Sequence, residues 1–301
     1  MKIAERIHKT RFDWEVRAIR QTAPVVVGDN DFTVLSMVQH RDVLPYLLAL
    51  KSFARFTRPK AVVLVADPTL DADDRALIRA HVPHIVIREA TEFRRPGVPV
   101  GGCWERLTAI SEYVGGSYVV QLDADTVATD VPTDVLQAIK DGVSFTLGTD
   151  DDQLITSSQE AAEVARSRLS EGDHPQAYAE AALDKFDLGA RYRYVRGCAG
   201  FAGFARGSID TAAVVAVSKG MSELLGERWS AWGTEQFTSN LLVASSPGAR
   251  VLPHPRYCAP HRRDAGTVFL HFIGYVRYTT GYYAELAARV ARELQTASRG
   301  G

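Results

Sequence analysis

Hydrophobic positions in the first half of the chain follow two alternating periods. Short β-branched apolar runs at 32–38, 61–67, 84–90 and 118–122 are typical of buried strands. Between them, the segments 44–56, 67–82 and 103–114 place apolar residues at helical spacing. Strands that alternate with helices predict βαβ units and an α/β fold with a mostly parallel central sheet flanked by helices.

The second half has a different pattern. Ser157 and Glu160 form a capping-box sequence, and Pro175 suits a first helical position, so we expect two inserted helices between 157 and 186. An amphipathic helix is predicted at 282–295. No linker rich in Pro, Gly or Ser divides the chain, so we predict a single domain over 1–301, with 1–30 as an N-terminal extension.

Composition narrows the function classes. The chain has 301 residues, 46% of them hydrophobic, and a formal net charge of -1, which suits a soluble protein with a substantial core. Lys and Arg do not outnumber Asp and Glu, so the chain has no net positive charge to attract a phosphate backbone, and no nucleic-acid partner is predicted. The three cysteines, Cys103, Cys198 and Cys258, show no CxxC spacing, which predicts no disulfide framework and a reducing compartment.

The N-terminal segment bears on localisation. It has no apolar signal-peptide core, and no run in the chain approaches the roughly 18 apolar residues of a spanning helix, so we predict a cytoplasmic protein. Basic residues interleaved with Ile3, Ile7, Phe12 and Trp14 would also suit peripheral contact with an anionic inner membrane face. A solvated helix face is the alternative interpretation.

Two acids follow the fourth predicted strand. Asp123 and Asp125 lie where the carboxyl end of that strand leaves the sheet, the edge at which open α/β sheets bind ligands. If the chain stays extended there, residues i and i+2 point to the same side and the carboxylates converge. Such a pair suits a hard cation, Mn²⁺ or Mg²⁺, between them. A turn with solvated acids is the alternative.

Further polar residues complete a candidate constellation. His271 ends a predicted strand near the C-terminus and would serve as a third metal ligand, or else as a hydrogen-bonded core histidine. Glu235 and Gln236 follow a glycine, as expected of polar groups at a loop or helix start, although Glu235 could also be a capping acid.

Taken together, four motifs resemble the metal-dependent glycosyltransferases of the GT-A fold, in the branch of glycogenin and the bacterial lipopolysaccharide galactosyl- and glucosyltransferases. In chain order they are Arg106-Leu107, "LDAD" at 122–125, Glu235-Gln236 and "HFIG" at 271–274. The resemblance runs from Phe32 to about Tyr283.

The resemblance implies a hexosyltransferase of polysaccharide biosynthesis that retains the anomeric configuration. It implies that Asp123, Asp125 and His271 bind the metal against the diphosphate of a nucleotide-sugar, typically a UDP-sugar, with 31–150 as the donor half and 151–301 as the acceptor half. Glu235 and Gln236 would be catalytic, and Trp232 would bind a saccharide or other hydroxyl acceptor. The remaining donor contacts would be Val38, Gln39, Arg106, Ala124, Gly200, Gly274 and Arg277.

The chain departs from the family pattern at three places. "VQHRD" at 38–42 replaces the usual acidic or Asn residues that read the base, and Cys198-Ala199-Gly200 replaces Asn-Ala-Gly. The Lys-Pro-Trp that usually follows the histidine is missing, and Arg277 would act in place of the lysine. The donor base, the donor sugar and the acceptor therefore stay open, as does the oligomeric state.

Two alternatives remain. "LDADTV" also fits the nucleophile motif of haloacid-dehalogenase-type phosphatases, with Asp123 phosphorylated and Asp125 as acid/base, but that motif normally ends the first strand of its domain. A non-catalytic nucleotide-sugar-binding module is the other, although such a module has no need of a repulsive acid pair.

Overall fold

The computed structural model describes residues 3–186, 191–274 and 276–297. In this part of the chain the α-helices are Ile3–Glu15 (α1), Val43–Thr57 (α2), Ala72–His81 (α3), Trp104–Tyr113 (α4), Thr133–Asp141 (α5), Ser158–Arg168 (α6), Pro175–Ala181 (α7), Thr211–Leu225 (α8), Thr234–Ser245 (α9) and Tyr282–Ala297 (α10). The strands are Asn30–Val38 (β1), Pro59–Ala66 (β2), Val86–Glu89 (β3), Tyr118–Leu122 (β4), Thr126–Ala128 (β5), Phe145–Leu147 (β6), Thr156–Ser157 (β7), Arg193–Tyr194 (β8), Cys198–Phe204 (β9), Arg250–Val251 (β10), Tyr257–Cys258 (β11) and Phe269–His271 (β12).

The chain folds into two compact units that interleave along the sequence. Unit 1 contains residues 1–88, 122–133 and 255–301, and unit 2 contains 89–121 and 134–254. The predicted α/β class is confirmed, because strands and helices alternate along the first half as the periodicity indicated. The assignment of 1–301 to one glycosyltransferase domain stays a prediction.

Unit 1 is built on parallel strands. β1 and β2 pair in parallel from Thr33 opposite Ala61 to Val38 opposite Ala66, and β3 lies beside β2. Helix α2 is buried on nearly every side, as its almost continuous apolar sequence requires. A second sheet has the order β11-β12-β5, in which β12 runs antiparallel to β5. This small sheet positions the candidate site.

Unit 2 has the strand order β10-β6-β9-β4. Strand β10 runs parallel to β6, and β6 runs antiparallel to β9. On the antiparallel pair, Phe145 lies opposite Gly203, and the Phe145 ring covers the space that a side chain there would fill. The two predicted inserted helices are α6 and α7, and the Ser157–Glu160 capping box is confirmed at the start of α6.

Helix α1 belongs to unit 1 and has two different faces. Phe12 is buried and its ring stacks on Tyr283 at a centroid distance of 3.9 Å. Ile3, Ile7 and Trp14 are exposed. Contact of this face with a membrane surface stays a prediction. Within the described ranges no helix is both long and apolar enough to cross a bilayer.

Candidate functional site

A tight turn brings the two aspartates of the "LDAD" motif together. β4 ends at Leu122, whose carbonyl accepts a hydrogen bond from Ser36 Oγ at 2.6 Å, and residues 123–125 turn before β5 begins. The Thr126 hydroxyl closes the turn by donating to the Asp123 carbonyl at 2.8 Å. The segment is therefore a turn, the alternative that the sequence had left open, and not the extended chain that the convergence argument assumed. The two carboxylates nevertheless converge within this turn.

Strand pairing places the histidine beside this turn. In the β5–β12 ladder His271 lies opposite Thr126, and the Phe272 N–H donates to the Asp125 carbonyl at 2.8 Å. His271 Nε2 lies 3.0 Å from Asp125 Oδ1, and both side chains are almost fully buried. The antiparallel register, together with the turn, fixes the imidazole next to the second aspartate.

A guanidinium group shares the cluster. Arg277 Nη2 donates to Asp125 Oδ2, and Arg277 Nη1 donates to Asp42 Oδ1 at 3.1 Å. Burial by itself raises the pKa of Asp125, but the neighbouring His271 and Arg277 outweigh it and hold that pKa below the ordinary range. Asp125 is therefore anionic near neutral pH, and its Oδ1 atom faces His271 rather than Arg277.

The donor set fits a divalent cation. One ligand atom from each of Asp123, Asp125 and His271 lies within 4.8 Å of the others. Neighbouring ligands of an octahedral ion with metal–ligand distances of roughly 2.1 Å are about 3 Å apart, as Asp125 Oδ1 and His271 Nε2 are. Oxygen ligands with one imidazole suit Mn²⁺ and also Mg²⁺.

A second His–Asp–Asp cluster in unit 1 has a structural explanation. His40, Asp71 and Asp74 also offer ligand atoms within 4.8 Å of one another. Asp71 and Asp74, however, form the capping box of α3, and His40 Nδ1 lies 2.7 Å from Asp74 Oδ2. These acids already cap a helix, and we do not assign them a metal.

In unit 2 the predicted donor-contact arginine pairs with a predicted catalytic acid. Arg106 Nη2 lies 3.3 Å from both carboxylate oxygens of Glu235, and both side chains are about 95% buried. Nearby, Trp104 Nε1 donates to Thr234 Oγ1 at 3.2 Å. Arg106 is thus no surface helix residue. The start of α4 holds the start of α9 in place.

Gln236 and Trp232 lie at the same end of α9. Gln236 is half-buried, and its Oε1 accepts a hydrogen bond from the backbone N–H of Ala199, next to the predicted donor contact Gly200 in β9. Trp232 is 70% exposed, as an aromatic platform for a sugar would be, and its ring meets that of His174 edge to face.

The other predicted contacts all lie in unit 1. Val38 ends β1 and is buried, and Gln39 follows it half-buried. Ala124 is the central residue of the aspartate turn, and Gly274 is exposed three residues after His271. Their roles toward a donor stay predictions, as do the roles of Arg106, Gly200, Arg277 and Trp232.

Comparison with known proteins gives structural matches only. No protein-family model matches the chain, and no curated protein matches it in sequence. Among the solved structures that match is galactosyltransferase LgtC in complex with donor and acceptor sugar analogues, at 13% identity and a TM-score of 0.46, covering 87% of this chain and 96% of that one. Mouse xyloside xylosyltransferase 1 matches at 12% identity and a TM-score of 0.47, covering 82% of this chain and 99% of that one.

A third match is core-mannan synthase A from Aspergillus fumigatus in an Mn/GDP form, at 9% identity and a TM-score of 0.43, covering 91% of this chain and 87% of that one. All three are glycosyltransferases, as the sequence resemblance predicted. At these identities and TM-scores the similarity carries no argument about donor, metal or mechanism.

The sequence motifs did not single out two groups that the structure places at these sites. Asp42 shares Arg277 with Asp125, although it lies 83 residues away from that aspartate in the chain. Gln176 of α7 accepts a hydrogen bond from Gln236 Nε2 at 2.7 Å. Both contacts join distant segments. The only sequence signal was the i, i+4 spacing of Gln176 and Glu180 on a predicted helix.

Proposed function

We propose that this protein is a metal-dependent glycosyltransferase that transfers a sugar from a nucleotide-diphosphate sugar to a saccharide or other hydroxyl acceptor. The observation that carries the proposal is the convergence of half-buried Asp123 with buried Asp125 and His271 on one point. A UDP-sugar is the first donor to test, because the motif order resembles enzymes that use one.

The side chains of unit 1 would prepare the donor site. Asp123, Asp125 and His271 would hold Mn²⁺ or Mg²⁺, which when bound neutralises charge on the leaving diphosphate. Arg277 engages Asp125 Oδ2 and leaves Oδ1 directed to the His271 side of the cluster. The arginine therefore orients the aspartate for the metal.

Glu235 and Gln236 of unit 2 would be the catalytic residues. Glu235 is held by Arg106 in a site with little water, so its charge acts through a low local dielectric. We propose retention of the anomeric configuration, with Gln236 at the sugar face. Nuclear magnetic resonance of the product's anomeric signal reads this outcome directly.

The haloacid-dehalogenase alternative is disfavoured by the position of Asp123. In that class the aspartate normally follows the first strand, whereas here it follows β4, after β1, β2 and β3. A phosphatase also needs Asp125 as a proton donor, and its pKa is held low by His271 and Arg277 despite its burial.

The decisive experiment is a thermal-shift panel of nucleoside diphosphates and nucleotide-sugars with Mn²⁺ or with EDTA. A ligand at 100 times its Kd stabilises the folded state by about 2.7 kcal/mol, so binding is readily seen. We expect stabilisation only with metal, loss of that effect in Asp125→Asn, and its retention in Asp71→Asn of the second cluster. The matched pair separates the two possible metal sites.

Two results would contradict the proposal. Metal-dependent nucleotide binding that survives Asp125→Asn would remove the site assignment. No nucleotide response in the parent protein, combined with release of phosphate from simple esters with Mg²⁺, would assign the carboxylates to phosphatase chemistry instead.

A further inference from the structure

The side-chain amide of Gln236 is fixed at both ends. Its Oε1 accepts from the Ala199 N–H at 3.2 Å, and its Nε2 donates to Gln176 Oε1 at 2.7 Å. One partner is backbone of β9, and the other is a side chain of the inserted helix α7. An amide held in this way presents its remaining N–H and lone pair in one direction only.

A buried carboxylate determines which way the two amides point. Gln176 Nε2 donates to Glu180 Oε1 at 3.1 Å and to the Tyr194 hydroxyl oxygen at 3.2 Å. An ionised carboxylate accepts hydrogen bonds and cannot donate them, so the NH2 end of Gln176 must face Glu180. The carbonyl end of Gln176 then faces Gln236, which must in turn direct its own NH2 to Gln176.

The far end of Gln236 agrees with this polarity. The backbone N–H of Ala199 can only donate, and it meets the carbonyl end of the Gln236 amide. If the Gln176 amide were reversed, its carbonyl oxygen would face the Glu180 carboxylate. If the Gln236 amide were reversed, its NH2 group would face the Ala199 N–H. Glu180 therefore sets the orientation of Gln236 from two hydrogen bonds away.

Glu180 is itself held firmly. It is 3% exposed, and it accepts from the Tyr194 hydroxyl at 2.6 Å and from Arg196 Nη1 at 2.7 Å. Burial raises the pKa of Glu180, and the Arg196 charge and the Tyr194 and Gln176 hydrogen bonds act against that rise. Each carboxylate oxygen has a donor, as a buried acid requires.

We propose that Gln176 is a positioning residue that sets the orientation of the Gln236 amide for sugar transfer, with Glu180 as the fixed acceptor that orients Gln176. The inference deepens the proposed function and rests on it. The inserted helix α7 would thereby act on the reaction through Gln236.

The test is Gln176→Glu, assayed for turnover of the donor that the panel identifies. The introduced carboxylate still accepts from Gln236, but a hydrogen bond between it and Glu180 requires that one of the two acids is protonated and donates to the other. We expect kcat to fall about 10- to 100-fold at pH 8, the scale of a small misplacement of a reacting group, with KM for the donor nearly unchanged. The loss should shrink as the pH is lowered.

Two controls distinguish a loss of Gln236 orientation from a general disturbance of the structure. Gln159→Glu makes the same change against Glu163, an exposed i, i+4 pair on the neighbouring helix α6 at 3.0 Å, and should leave kcat and its pH profile unchanged. The double variant Gln176→Glu with Glu180→Gln exchanges the two side chains, so that position 180 donates and position 176 accepts. It should restore kcat, because its new amide can donate to the new carboxylate.

Gln176→Glu with the parent's kcat and pH profile would overturn the proposal, as would a folded double variant that recovers nothing. If Gln176→Glu fails to fold, Gln176→Met replaces it, since it removes the hydrogen bonds without adding charge, and a parent-like kcat in that variant would also overturn the proposal.

A parent protein that turns over no nucleotide-sugar refutes the proposed function itself, and this inference falls with it. Parent activity that the Gln176 variants leave intact refutes the inference alone.

Discussion

The Arg106–Glu235 pair offers a quantitative test of how unit 2 holds its candidate catalytic residues. The pair is nearly fully buried, with Arg106 Nη2 at 3.3 Å from each Glu235 oxygen. Removing one member of a buried pair leaves an uncompensated charge and costs about 3–5 kcal/mol, whereas replacing both by apolar residues is often neutral. We therefore expect Arg106→Met and Glu235→Met each to destabilise strongly, and the double variant far less than their sum.

An exposed pair in the same unit provides the matched control. Arg250 and Asp141 lie closer together, at 2.6 Å, but both side chains are substantially exposed. Exposed pairs contribute about 0–1 kcal/mol, so Arg250→Met should change stability little despite the shorter distance. Burial, more than distance, decides the magnitude here.

The assay is urea unfolding followed by near-ultraviolet circular dichroism. Trp104 and Trp229 are buried and pack edge to face at 5.6 Å, close in sequence to Arg106 and Glu235, so their signal reports this region. Single variants that each lose less than about 1 kcal/mol would refute the buried-pair reasoning. Additive losses, within about 0.5 kcal/mol, would show that the two residues do not interact.

Two further predictions concern stability. Gly203→Ala should cost about 1–3 kcal/mol in urea unfolding because its methyl group would lie 2.2 Å from the Phe145 ring, whereas Gly116→Ala, whose methyl group meets nothing closer than 3.9 Å, should be tolerated. Burial, and then the charge of Lys51, lowers the pKa of His81 to about 4. The unfolded chain therefore binds more protons between about pH 4 and pH 6.5, and stability should fall as the pH falls through that window, with a slope of at most about 1.4 kcal/mol per pH unit. Urea titrations across this range should show a shallower fall in His81→Gln, and equal slopes would contradict the prediction.

The elements of the first half could be predicted because their signals are local. The apolar runs at 32–38 and 61–67 became β1 and β2, and the helical spacing at 67–82 became α3, which Asp71 and Asp74 cap. In each case the periodicity or capping lies within one segment, so no knowledge of tertiary contacts was needed.

The geometry of the candidate metal cluster could be predicted only in part. The residue types and their order pointed to Asp123, Asp125 and His271 as ligands, but the sequence left the turn at 123–125 only as an alternative and gave no sign of the β5–β12 register. Pairing of β5 with β12 joins segments more than 140 residues apart. Long-range pairing of this kind leaves no periodic signal in either segment.

The amide network was missed for a related reason. Gln176 and Gln236 are uncharged residues on two separate helices, and neither sequence context distinguishes a structural glutamine from a positioning one. Their orientation follows from the buried charge of Glu180, which becomes apparent only once Tyr194 and Arg196 are seen around it. Each hydrogen bond of this network is chemically ordinary, but the residues that form it come together only in the tertiary structure.

Arg277 contacts one of the candidate metal ligands directly, so its charge bears on the proposed metal site. The family resemblance implied that Arg277 contacts the donor in place of a lysine, and in the structure its guanidinium lies between Asp42 and Asp125. With Asp123, the cluster holds three carboxylates and two guanidinium groups, since Arg41 Nε lies 3.5 Å from Asp42 Oδ2, and one formal negative charge is left in excess. Like charges at this spacing repel unless a cation lies among them, so the two arginines relieve part of the repulsion. The excess negative charge is consistent with the proposed divalent ion at the three ligands, and Arg277 would act there by orienting Asp125.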